Sequence, residues 1–338
     1  MAVEPLPRDP VTVERIIDLG SGRLRARMVA MEGRLLETLA ELSPPLCNYA
    51  STMVLAGGKR IRPLLVFLAA EQAVEPLGAE REEGLLRAAV AVELIHSATL
   101  IHDDLIDGAT LRRGRPTVAA AAGERAAIAT GDAVFSRAFS ELAKNGDPEQ
   151  LRTLSNASSA LVAGEFLQRE DAYAVWISEE RYLTRCELKT AALFEAAARL
   201  GALAVEAGSG MARALGRFAR RIGIAFQLLD DVLDIAGRLG ETGKARGRDL
   251  LEGTVTLPLI LARQLDPALA TLDLRGLRDG EKVEEVCRRI AATGALEEVR
   301  SRALAEVRAA KAELPSQLAD PLRELLCLVA DGVVARCS

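Results

Sequence analysis

Aromatic residues make up only 3% of this 338-residue chain, so its 49% hydrophobic content must fill a core with aliphatic side chains and alanine. Scarce aromatics beside abundant Ala, Leu, Arg and Glu favour helix over strand. The five cysteines (Cys47, Cys186, Cys287, Cys327, Cys337) are scattered, odd in number and never spaced C-x-x-C, which fits a reducing compartment. No uninterrupted apolar run approaches the ~20 residues of a membrane span. The opening MAVEPLPRDP lacks the basic-then-apolar layout of a signal peptide. The expectation is a cytoplasmic protein. A net charge of −5 gives no general reason to expect nucleic acid as a partner. No Ser–His–Asp or Cys–His grouping offers a protein nucleophile.

What is there is concentrated. Both histidines of the chain, His96 and His102, fall inside VELIHSATLIHDDLIDGATLRRGRPT, residues 92–117. This stretch begins as an apolar helix, turns acidic at Asp103, Asp104 and Asp107, and runs into a basic loop with Arg112, Arg113 and Arg115. Asp103 and Asp107 are four apart, so their carboxylates lie on one helix face, a turn apart. Clustered carboxylates beside arginines suit Mg²⁺ bridged to a phosphorylated substrate. The spacing recurs in QLLDDVLD, residues 227–234, with Asp230, Asp231 and Asp234, again followed by a loop of glycines and cations. Two acidic helix ends, each leading into a basic loop, look like two halves of one site.

The rest of the chain reads as helix after helix. Residues 1–10 hold three prolines and form a loose arm; the pattern from Val11 to Leu42 is helical, with a break at Gly20–Gly22. Gly57-Gly58-Lys59-Arg60-Ile61-Arg62-Pro63 combines two glycines with three cations, which reads as a diphosphate site or, taken alone, as a solvated turn. Helical periodicity covers Glu80–Asp107, Ala119–Lys144, 149–170, the stretch after the Ser178 cap, and 211–235. Lys189-Thr190 sits in an apolar helix middle, where a lysine must be paired or must snorkel. Residues 254–338 read as further helices with turns near Pro267, Gly280, Gly294 and Pro315. There is no strand series and no linker long enough to divide the chain, so the expected fold is a single all-α domain over residues 1–338.

GGKRIRP, HSATLIHDDLIDGATLRRGRPT, KTAALF, QLLDDVLD and GKARGRDLLEGTVTLP occur in the order found in trans-type polyprenyl diphosphate synthases, and the chain resembles that family from about residue 45 to 260. The resemblance implies a helical bundle whose central helices surround a deep apolar cavity, a homodimer, and a dependence on Mg²⁺, three ions per site, with Mn²⁺ able to substitute. It implies that Asp103, Asp104, Asp107, Asp230, Asp231 and Asp234 hold the metal on an allylic diphosphate. Arg112, Lys189 and Lys244 would contact the same diphosphate, with Thr190 and Gln227 close by. Lys59, Arg62, His96 and Arg113 would bind isopentenyl diphosphate. One departure stands out: the family usually has Gly-Lys where this chain has Gly253-Thr254. In this family, bulky residues four and five positions before the first aspartate stop chain growth. Here those positions are Ala98 and Thr99, with Ile95, Val92, Ala91 and Ala88 continuing the path, so a product of six to ten isoprene units is expected. Phe135, Phe139 and Phe166 are candidates for the tunnel floor. Membrane contact for product release is a further expectation. The rival readings are a short-chain (farnesyl or geranylgeranyl) synthase, a terpene cyclase, and a non-catalytic subunit of a two-component synthase. A cyclase needs no second diphosphate pocket, so GGKRIRP weighs against it.

Overall fold

In the computed structural model, which describes residues 13–20, 22–73, 76–237, 246–277 and 279–335, helices account for nearly all regular structure. The expected N-terminal arm (residues 1–10) and Lys244 lie outside the described residues. Two long helices organise the rest. The first acidic helix, Ala79–Ile106, is buried on nearly every side: Ala88 to Ile95 and Ala98 have essentially no exposure. Its length and composition would let it cross a membrane. Its apolar surface is instead covered by helices Ile61–Ala70, Glu124–Ala143 and Ala192–Ala204. A helix hydrophobic all round is a core helix when neighbours surround it. The second acidic helix, Ser209–Ala236, packs against Ala192–Ala204 and Ala295–Ala312.

Three departures from the sequence reading have local causes. The helix expected over Ala119–Lys144 is two helices, Val118–Ala122 and Glu124–Ala143, broken at Gly123, whose φ of +86° disfavours any side chain. The basic loop after the first aspartates is a small β hairpin, Leu111–Arg112 paired with Arg115–Pro116. Its two-residue turn has positive φ at both Arg113 (51°) and Gly114 (75°), the signature of the mirror-image turn that suits strand twist. The third lies in the Lys189 segment, where Glu187–Ala191 winds as one π-helical turn between helices Glu179–Cys186 and Ala192–Ala204. The Ser178 cap is as expected, its Oγ accepting from the Arg181 N–H at 3.1 Å.

Candidate active site

The two acidic helices end on opposite sides of one cavity of about 570 Å³. Asp103 and Asp107 line it from the first, Asp230 and Asp234 from the second. The middle aspartate of each motif does not line it, because a helix advances about 100° per residue. Asp104 is buried, and Arg112 of the hairpin binds it through Nε at 2.8 Å to both carboxylate oxygens and through Nη2 at 2.7 Å. Asp231 is buried as well, accepting from the Tyr182 hydroxyl at 2.5 Å and the Gln227 amide at 2.8 Å. Four of the six aspartates therefore line this cavity; Asp104 is held by Arg112, and Asp231, held by Tyr182 and Gln227, lines a smaller cavity beside it.

Burial sets the electrostatics. It pushes Asp103 up to about 6 despite the opposing charge of Lys189, and Asp234 up to about 6 despite N–H groups donated by Asp249 (3.2 Å) and Arg248 (3.1 Å). Asp231 rises to about 7, again through burial and against its bonds from Tyr182 and Gln227. Apposed carboxylates held at a raised pKa are short of positive charge. Among the described residues no three Asp, Glu, His or Cys side chains converge into a ready metal cage. Asp103, Asp107, Asp230 and Asp234 offer oxygen donors of the kind Mg²⁺ takes, with water and phosphate oxygens to complete its shell.

Lys189 enters the same cavity from the π turn. A π turn adds one residue to the helical repeat and re-aims the side chains beyond it. Lys189 Nζ lies 2.5 Å from Glu165 Oε2 and 3.3 Å from Gln168 Oε1, so the buried lysine is indeed paired. Burial works against its charge, but Asp103, Glu165 and Asp107 outweigh it and hold the pKa above the usual value. The Pro148–Glu170 helix can come this close because residue 164 is glycine; a Cβ there would lie 2.6 Å from the Lys189 backbone nitrogen. Thr190 donates to Gln227 Oε1 at 2.8 Å, linking the π turn to the second acidic helix.

A second cavity of about 480 Å³ adjoins the first, lined by Gly57, Gly58, Lys59, Arg60, Arg62, Glu93, His96 and Arg113. All four expected residues, Lys59, Arg62, His96 and Arg113, meet here. Arg60, in the left-handed region (φ 48°), instead turns inward to Glu32 and Glu93, each at 2.6 Å. Arg62 is pushed down to about 10 by burial, against the nearby charge of Glu93, and its guanidinium lies 4.8 Å from the Phe194 ring centroid. Burial, with Arg62, Arg113, Arg112 and Arg60 around it, holds His96 well below 6.5, so it is neutral at pH 7. Arg62, His96, Leu100 and Phe226 line both cavities, which adjoin at these side chains.

Of the expected chain-length residues, Thr99 lines the larger cavity with Phe135 and Phe166, while Ala98 and Ile95 are wholly buried and line neither cavity. Val92, Ala91 and Ala88 are likewise buried, and the apolar end of the cavity is lined by Phe135, Leu161 and Val162. Phe139 does not line it and packs against Phe135 with the rings tilted by 45°, at 5.6 Å between centroids. Thr99→Phe is expected to shorten the prenyl product that the sequence resemblance implies, measured by sizing the extracted alcohols. Ala98→Phe should instead overpack the core and cost about 1–3 kcal/mol of stability, measured by thermal unfolding.

Sequence reasoning missed Glu165, Gln168, Tyr182, Asp249 and Glu252. Asp249 and Glu252 stand three apart just after the second basic loop, a spacing that could have pointed to them. The others reach the site only through tertiary packing.

Residues 43–292 match the polyprenyl synthetase family profile. The chain is 40% identical over 235 residues to heptaprenyl diphosphate synthase component 2 of Geobacillus stearothermophilus, covering 70% of this chain and 72% of that one. It is 36% identical over 288 residues to octaprenyl diphosphate synthase of Escherichia coli K12, covering 84% and 88%. It superposes with a TM-score of 0.89 and 32% identity on a polyprenyl synthase from Caulobacter crescentus CB15 complexed with calcium and isoprenyl diphosphate, covering 98% of this chain and all of that one.

Proposed function

The chain belongs to the polyprenyl synthetase family, and from that premise we propose that it joins isopentenyl diphosphate head-to-tail to an allylic diphosphate, making a long-chain all-trans polyprenyl diphosphate of about C30–C50. The observation that carries this reading is the pair of adjoining cavities. One is lined by facing carboxylates with Lys189 and Arg112, the other by Lys59, Arg62 and Arg113, and Arg62 and His96 border both.

The reaction breaks the allylic C–O bond, leaving a carbocation and a diphosphate. The double bond of isopentenyl diphosphate then attacks the cation, and a proton leaves to the released diphosphate. Bound Mg²⁺ would act as a Lewis acid that stabilises the departing diphosphate. Asp103, Asp107, Asp230 and Asp234 would hold it, with three ions per site and Mn²⁺ able to replace them. Lys189 and Arg112 add fixed positive charge where leaving-group charge develops. Lys59, Arg62 and Arg113 hold the second diphosphate, and neutral His96 donates without adding charge. The shared border at Arg62, His96, Leu100 and Phe226 would bring the alkene to the cation, while Thr99, Leu161 and Phe135 keep water from the apolar end.

We extend the reading to a homodimer in the cytoplasm, with transient bilayer contact while the apolar product leaves. The purified chain is tested with Mg²⁺, labelled isopentenyl diphosphate and farnesyl or geranylgeranyl diphosphate. A metal-dependent series ending at one long prenol is expected. A series ending at C15 or C20 would favour the short-chain alternative. No incorporation with any primer would favour a subunit that works only with a partner, a reading kept open by the relative named as a component.

The metal requirement carries a pH dependence. Asp103 and Asp234, held near 6, must be deprotonated to bind the ion. Mg²⁺ affinity is therefore expected to rise with pH through 6 and level off above about 7, read from the Mg²⁺ dependence of turnover between pH 5.5 and 8. An affinity that does not change over this range would contradict the assignment of these carboxylates.

A further inference from the structure

Arg185, at the end of the Glu179–Cys186 helix, is 4% exposed. Its Nη2 donates to the Val255 carbonyl at 2.5 Å, and its guanidinium lies 5.4 Å from the Tyr182 ring centroid. Its Nη1 is buried without an acceptor. Asp231 feels its charge across the cavity they share. A buried guanidinium with donors left over is costly, and an apolar side chain would serve better if packing were its only task. Arg185 lines a third, polar cavity of about 150 Å³, together with Lys189, Thr190, Asp231, Thr254 and Thr256. That cavity touches the loop in which this chain has Thr254 where the resembling family has a lysine.

The geometry points to Arg185 as a further substrate-binding residue: it supplies from a neighbouring wall the positive charge absent at Thr254 and donates to an oxygen of the allylic diphosphate. This rests on the prenyltransferase reading above. The carbonyl of Val255 engages one guanidinium nitrogen, and Nη1, which has no acceptor, is the donor the proposal assigns to the ligand. Arginine suits the task because its planar fork can hold a loop carbonyl and a phosphate oxygen at once. The same cavity is also lined by Asp231, Asp249 and Glu252, so the diphosphate would enter with its divalent ions between it and these carboxylates.

Three variants separate this role from simple anchoring of the loop. Arg185→Gln keeps a donor for the Val255 carbonyl and removes the charge; Arg185→Lys keeps the charge. Calorimetric binding of inorganic diphosphate at fixed Mg²⁺ is measured first, then the KM for each substrate. Arg185→Gln is expected to weaken diphosphate binding and raise the allylic KM by about tenfold, with Arg185→Lys within about threefold of the parent. The KM for isopentenyl diphosphate should not move, since its cations line a different cavity. Adding Thr254→Lys to Arg185→Gln should restore most of the binding.

Equal weakening by Gln and Lys, unchanged binding in Arg185→Gln, or failure of Thr254→Lys to rescue would each overturn the proposal. Should Arg185→Gln not fold, Thr254→Lys in the parent decides: a gain below about threefold is expected, and a gain of about tenfold would show a site that lacks a cation, sinking the idea. A parent protein that binds diphosphate with Mg²⁺ but never incorporates isopentenyl diphosphate would overturn the prenyltransferase reading and leave the Arg185 contact standing.

Discussion

Asp103→Asn is expected to lower turnover by about 10³-fold while leaving the fold intact, because it removes one anchor of the charge that stabilises the leaving group. The same change should raise the thermal midpoint of the metal-free protein at pH 8. The sign follows from burial, which lifts Asp103 from 3.8 to about 6 in the folded protein. Between those values the folded state binds more protons than the unfolded one, so stability falls as pH rises through this window and stays lower above it. Asparagine has no proton to lose and escapes that fall. The two readouts, turnover with Mg²⁺ and unfolding with a chelator, should therefore move in opposite directions. A variant that kept a tenth of parental turnover would show that Asp103 is not a principal metal anchor.

Gly164→Ala is expected to impair both stability and catalysis. Its methyl group would lie 2.6 Å from the Lys189 nitrogen and 3.0 Å from Lys189 Cα, both backbone atoms that cannot swing aside. The Pro148–Glu170 helix and the π turn must separate, at about 1–3 kcal/mol. Separation also pulls Glu165 from Lys189 and moves the ammonium from its place beside Asp103 and Asp107. Turnover should fall by about 10–100-fold, since displacements near 1 Å cost on this scale. Gly33→Ala is the control: that glycine is helical, nothing lies within 4 Å of the added carbon, and stability should rise slightly. Equal effects at the two positions would show that backbone entropy, not the close approach, sets the outcome at 164.

How much of this was legible in the sequence depended on how local each cause is. The four cavity-facing aspartates could be read because a spacing of four places two side chains on one helix face. That Asp104 and Asp231 turn elsewhere follows from the same rotation, yet their partners do not. Arg112 arrives through a hairpin whose strands are two residues long, too short to show alternation, and Tyr182 comes from a helix some fifty residues earlier. The π turn has no compositional mark; KTAALF reads as ordinary helix. Gly123 was overridden by the alanines around it, although its positive φ ends the short helix before it. Ala98 and Thr99 are neighbours in sequence, and only packing decides that one meets the cavity and the other the core. Glu165 was the least accessible, since its role exists only once Gly164 lets two helices touch.

Arg62, His96, Leu100 and Phe226, which border both cavities, couple the two thermodynamically. In the proposed reaction two polyanions would be held on either side of these residues and would share the field of one bordering guanidinium, Arg62, because His96 is neutral. Filling either pocket with bare diphosphate must weaken the other's hold, and by reciprocity the penalty is the same whichever ligand comes first. Condensation ends that antagonism: one diphosphate departs, the other stays attached to the lengthened chain, and the molecule is left with half the anionic load it bound.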